Sequence, residues 1–258
     1  MTGKADDSLL AEDWPELVRK IRARTPARLL EGRAGASYRT GTQMDLRIAH
    51  ANARDAVRAE LDMERQLGTD FVNQWGLFEV CTQAASKDEY LLHPNQGRSF
   101  SETSRTELLS RCTPRTDFQI AIGDGLSVTA LVAQVPKLLP ALCDEAKTRG
   151  WTLGQVFVIR HCRVGILNEI GELLAPSVAV LLVGERPGLA TAESLSAYMA
   201  YRPERTHTDA NRNLISNIHV RGVSPAAAVV RILCLAEKMM RIRSSGTQLR
   251  TGSAALER

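Results

Sequence analysis

The runs DFQIAIGDG (117–125), QVFVIR (155–160) and SVAVLLVG (177–184) constrain the fold of this chain most tightly. Each is short and apolar, without the polar alternation of a strand that has one wet face. Val180 to Val183, four aliphatic residues in a row, suit a strand covered on both sides. Helical sequence separates the runs. The stretch from Leu126 to Arg149 must kink or divide at Pro136 and Pro140, and ILNEIGELLA makes a short helix. Strand–helix–strand–helix–strand in this order predicts parallel βαβ units and an α/β class.

Upstream, Leu9, Leu10, Trp14, Leu17, Val18 and Ile21 recur at helical spacing, so an amphipathic helix is expected from Ser8 to Arg24, after a loose segment 1–7. Thr25-Pro26 opens a short turn. Gly32, Gly35 and Gly41, interleaved with Arg28, Arg33 and Arg39, predict an irregular basic loop. A long helix from Thr42 to Gln66 carries Met44, Ile48, Ala51, Val57 and Leu61 on one side. Residues 1–75 thus form a smaller all-helical N-terminal domain. Residues 76–243 hold the α/β domain. It is expected to begin with a hairpin of strands 77–82 and 89–92, followed by a helix at 101–111. Later, SLSAYMAY and NLISNIH predict strands, and Ser224-Pro225 starts a helix that runs to Arg243. Residues 244–258 look like a flexible tail.

The formal charge of +4 comes mostly from dispersed arginines, and aromatic residues make up 5%, so neither a concentrated basic face nor a stacking platform for nucleic acid is indicated. The five cysteines are far apart and contain no Cys-x-x-Cys, which suits reduced thiols rather than a zinc ribbon or redox pair. No apolar run reaches membrane-spanning length and no signal-peptide core opens the chain, so a soluble cytoplasmic protein is expected.

Phosphate loops are missing: neither G-x-x-x-x-G-K-[ST] nor a G-x-G-x-x-G follows any strand. GDGLS (123–127) and GERPG (184–188) each present a carboxylate at a strand end, where it would repel a phosphate. Asp124 suits a helix N-cap or an ion pair. Glu185 suits neutral donors such as amides and hydroxyls, with Gly184 and Gly188 clearing space for something bulky and Pro187 stiffening the loop. NIHVRG (217–222) differs by one residue from the Asp-x-His-x-x-Gly motif that supplies cobalt with a histidine in one class of cobalamin enzymes. Asn217 lacks the acid that such a ligand needs behind it, so His219 reads as a hydrogen-bonded strand-end histidine. His207-x-Asp209 sits in a polar loop, and Ser127 lacks a nucleophile-elbow context. The chain carries no catalytic constellation and no metal ligand set of its own. A free-standing nucleotide-binding α/β module and an interaction protein that docks through the basic loop stay open as alternatives.

QIAIGDGLS (119–127), GERPGLATAESLSAYMAY (184–201) and NLISNIHVRGVSPAAA (213–228), with TPARLLEGRAGASYRT (25–40) and HANARDAV (50–57), together resemble the small subunit of ethanolamine ammonia-lyase. The resemblance runs from Thr25 to Arg243. It implies an adenosylcobalamin-dependent bacterial lyase that converts ethanolamine to acetaldehyde and ammonia. A TIM-barrel large subunit would hold the substrate, and this subunit would cover the cobalamin with a Rossmann-like three-layer sandwich. The implied assembly is a trimer of paired large–small heterodimers, inside a bacterial microcompartment in some members. The implied cofactor contacts fall on Val164, Glu185 and Leu214; several members have cysteine where Leu214 stands.

Overall fold

The computed structural model describes residues 15–25 and 27–249. The segment 1–7, the first part of the helix expected from Ser8, Pro26 and the end of the tail from 250 lie outside the described residues. Helix α1 spans Glu16–Ala23. Strands β1 (Arg33–Ala34) and β2 (Ser37–Tyr38) then pair antiparallel around Gly35, whose φ is 63°. The basic segment is therefore a small hairpin rather than an irregular loop, and the region is not wholly helical. Glycine allows this turn because a left-handed residue carries no Cβ penalty there.

The expected long helix is two. Helix α2 (Thr40–Arg58) stops where Ala59 turns extended, and α3 (Met63–Leu67) starts afresh at Asp62. The Asp62 carboxylate accepts the Arg65 N–H at 3.1 Å, and a new N-cap is what ends the apolar period. Helix α4 (Thr69–Trp75) leads into strand β3 (Phe78–Cys81).

The second strand of the expected hairpin is instead helix α5 (Lys87–Leu92). Ser86 caps it by accepting the Glu89 N–H at 3.2 Å, while the Glu89 carboxylate reaches back to the Ala85 N–H at 2.9 Å. Ser86-x-x-Glu89 is a helix-start signature that outweighs the short apolar run after it. Helix α6 (Glu102–Arg111) follows as expected.

The remaining elements are β4 (Phe118–Gly123), α7 (Val128–Thr148), β5 (Phe157–Arg160), α8 (Ile166–Leu174), β6 (Val178–Gly184), β7 (Leu195–Tyr201), β8 (Asn213–Ile218) and α9 (Pro225–Ile242). The protein is mixed α/β, with one mixed sheet in the order β3-β5-β4-β6-β7-β8. The first four strands are parallel; β7 pairs antiparallel with β6, and β8 antiparallel with β7. Helix α7 is not divided. Pro136 and Pro140 lie four residues apart on one half-buried stripe, so the bonds they remove fall on the same side of the helix.

Both faces of the sheet are covered. Phe118, Ile120 and Ile122 pack with Leu131, Val135 and Leu138 of α7 and with Ile232 and Leu233 of α9. On the opposite face Ala121, Leu181 and Val183 pack with Ile166, Leu167 and Ile170 of α8 and Leu108 of α6. Each of the larger side chains among them, fully buried, contributes about 1.5–3 kcal/mol. The first residues of the expected tail are also held down: Leu249 is buried, and Ser245 Oγ accepts the Tyr201 N–H at 3.0 Å and donates to the Asn211 carbonyl at 2.6 Å.

Candidate functional site

In a sheet with helices on both faces, ligands collect where adjacent parallel strands send their connections to opposite sides. Here β4 feeds α7 on one face and β5 feeds α8 on the other. That crevice is filled by the protein itself. Asp124 is buried and its Oδ1 accepts the Cys162 N–H at 2.9 Å. Lys87, on α5, lies 3.8 Å from Asp124 Oδ2 and 3.4 Å from the Gly125 carbonyl. Tyr90 stacks on His161 and donates its hydroxyl to the Cys162 carbonyl at 3.0 Å. Burial pushes the Asp124 carboxyl up, against the pull of Lys87 and the backbone N–H groups of Cys162 and His161. Asp124 is thus one half of a buried ion pair, and the N-cap of α7 is Ser127, which accepts the Ala130 N–H.

A different concavity opens beside it. Helix α8 packs on β6 and leaves Leu214 of β8 48% exposed. Tyr198 pairs with Leu181 on one side and Leu214 on the other, so its ring shares their face of the sheet. Val164 comes to that face from the turn before α8. Val164, Tyr198 and Leu214 line one cavity of about 1020 Å³. Its two rims are held by consecutive residues of α8. Asn168 donates to the His207 carbonyl at 2.7 Å and accepts from Arg212 at 2.8 Å. Glu169 accepts the Phe100 N–H at 2.7 Å and pairs with Arg105 at 2.5 Å.

Glu185 stands beyond this cavity on the same face of the sheet. Its carboxylate accepts the Ser194 hydroxyl at 2.6 Å, the Ser196 hydroxyl at 2.5 Å and the Asn217 N–H at 2.9 Å. The last bond comes from a β-bulge. Leu195 pairs with Ile218 and Ala197 with Ile215, so Ser216 and Asn217 together face Ser196, and Asn217 adopts φ 60°. An unpaired bulge residue turns its N–H out of the ladder, here toward the carboxylate. Burial, then the Glu185 charge, push the Tyr198 phenol up.

Gly184 does not clear space for a ligand. A Cβ on Gly184 would sit 2.0 Å from the Ser127 carbonyl, so this glycine serves the approach of two backbone segments. A Cβ on Gly188 would meet nothing closer than the Thr191 carbonyl oxygen at 4.0 Å, so the space there is open. His219 is buried with both ring nitrogens engaged: Nε2 lies 2.7 Å from Asn217 Oδ1, and Nδ1 accepts the Arg221 N–H at 3.2 Å.

A family model described as ethanolamine ammonia-lyase light chain (EutC) matches residues 15–250. The chain belongs to the ethanolamine ammonia-lyase light chain family. It is 40% identical to the ethanolamine ammonia-lyase small subunit of Clostridioides difficile, over 89% of this chain and 76% of that protein. With the small subunit of Clostridium acetobutylicum it shares 36% identity, over 91% of this chain and 95% of the relative. With that of Clostridium perfringens it shares 38%, over 90% and 76%.

Of the three positions that the light-chain resemblance singles out, the fold brings Val164 and Leu214 into one cavity and places Glu185 on the same sheet face, linked through the bulge. Tyr198, between them, escaped the sequence reading, as did Asn168, Arg98 and Arg212 around the same cavity. The two-residue period of SLSAYMAY put Ser196 and Tyr198 on one face, but only strand pairing puts Leu214 next to them. No helix among the described residues of this light chain is long and apolar enough to cross a membrane.

Proposed function

We propose that this light chain forms one wall of the adenosylcobalamin site of an ethanolamine ammonia-lyase, at its interface with the catalytic large subunit. The observation that carries the reading is the common wall of Val164, Tyr198 and Leu214, braced by Glu185. A corrin ring is broad, apolar across its face and rimmed by amides. The residues fit such a group: two aliphatic side chains and the aromatic ring of Tyr198 offer a surface for the corrin. The Glu185 carboxylate, with about four lone-pair sites and three donors already bound, keeps one for an amide or hydroxyl. When bound, the cofactor supplies the radical chemistry that turns ethanolamine into acetaldehyde and ammonia. This chain's residues orient it and exclude water, and His219, engaged at both nitrogens, leaves the cobalt to other ligands.

The wider organisation we propose follows from the same reading. A smaller N-terminal domain (1–75), helical apart from the β1–β2 hairpin, precedes a Rossmann-like three-layer domain (76–243). The chain works as a noncatalytic subunit beside a TIM-barrel partner, in a trimer of paired heterodimers in the cytoplasm, with Leu214 meeting the cofactor where some relatives have cysteine. The test is co-purification with the large subunit, scored by bound corrinoid absorbance and acetaldehyde release. Val164→Asp puts a charge into the wall and should strip the corrinoid while the two subunits still co-purify. Full corrinoid retention by Val164→Asp, or activity of this chain alone, would overturn the reading.

A further inference from the structure

We propose that Arg98 and Arg212, at the amino end of α8, form an anion subsite that receives the phosphodiester of the corrinoid's nucleotide tail. This rests on the cobalamin reading above and adds to it the part of the ligand that carries charge. The amide arms of a corrin are neutral and its cobalt-bearing core carries no net negative charge; the phosphodiester is the cofactor's one exposed anionic group.

The cavity is lined by five arginines and three carboxylates. Two of the cations are committed elsewhere: Arg105 pairs with Glu169, and Arg163 stacks on Tyr90 and donates to its carbonyl at 3.0 Å. Arg98 is different. It is exposed, and among the described residues its guanidinium has no hydrogen bond or ion pair. Its stem lies against Gly165, where a Cβ would come 2.9 Å from Arg98 Cγ, so the missing side chain lets the cation rest on the start of α8. Arg212 is 6% exposed at its side chain. It bonds Asp209, itself almost fully exposed, and Asn168, yet its buried Nε has no acceptor. Burial, and more weakly the charge of Arg98, disfavour the charged form of Arg212. Two guanidinium groups that repel each other, one of them desolvated, next to the positive end of a helix dipole, suit a shared monoanion.

The complex of this chain with the large subunit tests the inference with three probes. Cobalamin carries the phosphodiester and base, cobinamide phosphate carries phosphate alone, and cobinamide carries neither. Equilibrium dialysis should show Arg98→Gln weakening cobalamin and cobinamide phosphate by about ten- to a hundredfold, with cobinamide unchanged. Arg212→Lys, which keeps the charge but loses the fork, should weaken the same two probes, with its melting temperature measured alongside. Equal weakening of all three probes, or none, would sink the subsite while leaving the corrinoid wall intact. A wild-type complex that retains none of the three would bring down the wall and the subsite together.

Discussion

Asn217 donates its backbone N–H to Glu185 Oε1 over 2.9 Å and so ties the bulge of β8 to the end of β6. Three donors meet on this one carboxylate: Ser194 just before β7, Ser196 in β7 and Asn217 in β8. The shape of the sheet face that carries Tyr198 and Leu214 therefore depends on a residue outside the cavity they line.

Glu185→Ala leaves those donors without their acceptor. It should cost about 1–3 kcal/mol of stability and, through the wall, a comparable share of corrinoid retention in the complex. Glu185→Gln keeps one acceptor oxygen and should lose less of both. Thermal melts with retained-corrinoid absorbance check this; an unchanged melt for Glu185→Ala would show that the bulge stands without the carboxylate.

Gly184 and Gly188 should respond very differently to alanine. Gly184→Ala drives a methyl group to 2.0 Å from a backbone carbonyl, and should destabilise by about 3 kcal/mol or more. Gly188→Ala meets nothing closer than 4.0 Å and should stay within about 1 kcal/mol of the parent. Denaturant titration of the two variants decides it.

Lys87→Met strands the buried Asp124 carboxylate and should cost about 3–5 kcal/mol, most of it recovered in the double variant with Asp124→Asn. The penalty has a pH signature. Burial raises Asp124 above its ordinary 3.8, so its folded form holds the proton more tightly than the unfolded chain. Stability from this group is full below the unfolded value and falls as pH rises through the folded one. Losing Lys87, the largest pull downward, lifts the carboxyl further. The variant's deficit should therefore be smaller at about pH 5 than at about pH 8. A deficit that grows on acidification would contradict the buried pair.

His219→Ala should lower stability by about 1–3 kcal/mol, since Asn217 Oδ1 and the Arg221 N–H both lose a partner. The visible spectrum of corrinoid bound to the complex should keep its axial-ligand signature. A spectral shift confined to this variant would make His219 a cobalt ligand after all.

The sequence alone determined the elements that carry their own local physics. Unbroken aliphatic runs cannot be solvated, so β4, β5 and β6 were legible as buried strands, and Ser224-Pro225 marked the start of α9 because cap chemistry is local. The family was legible from motifs, and Val164, Glu185 and Leu214 are the positions that the family resemblance implies. At Ser86-x-x-Glu89 the capping pair decides for a helix over the strand that the apolar run after it suggests. Pairing decided the rest. That Leu214 lies beside Tyr198, that a bulge turns Asn217 toward Glu185, and that Lys87 plugs the crevice at Asp124 all depend on contacts between residues distant in the chain. Such contacts leave no period or spacing behind, because strand order and register are set by how whole faces pack rather than by any one segment's residues.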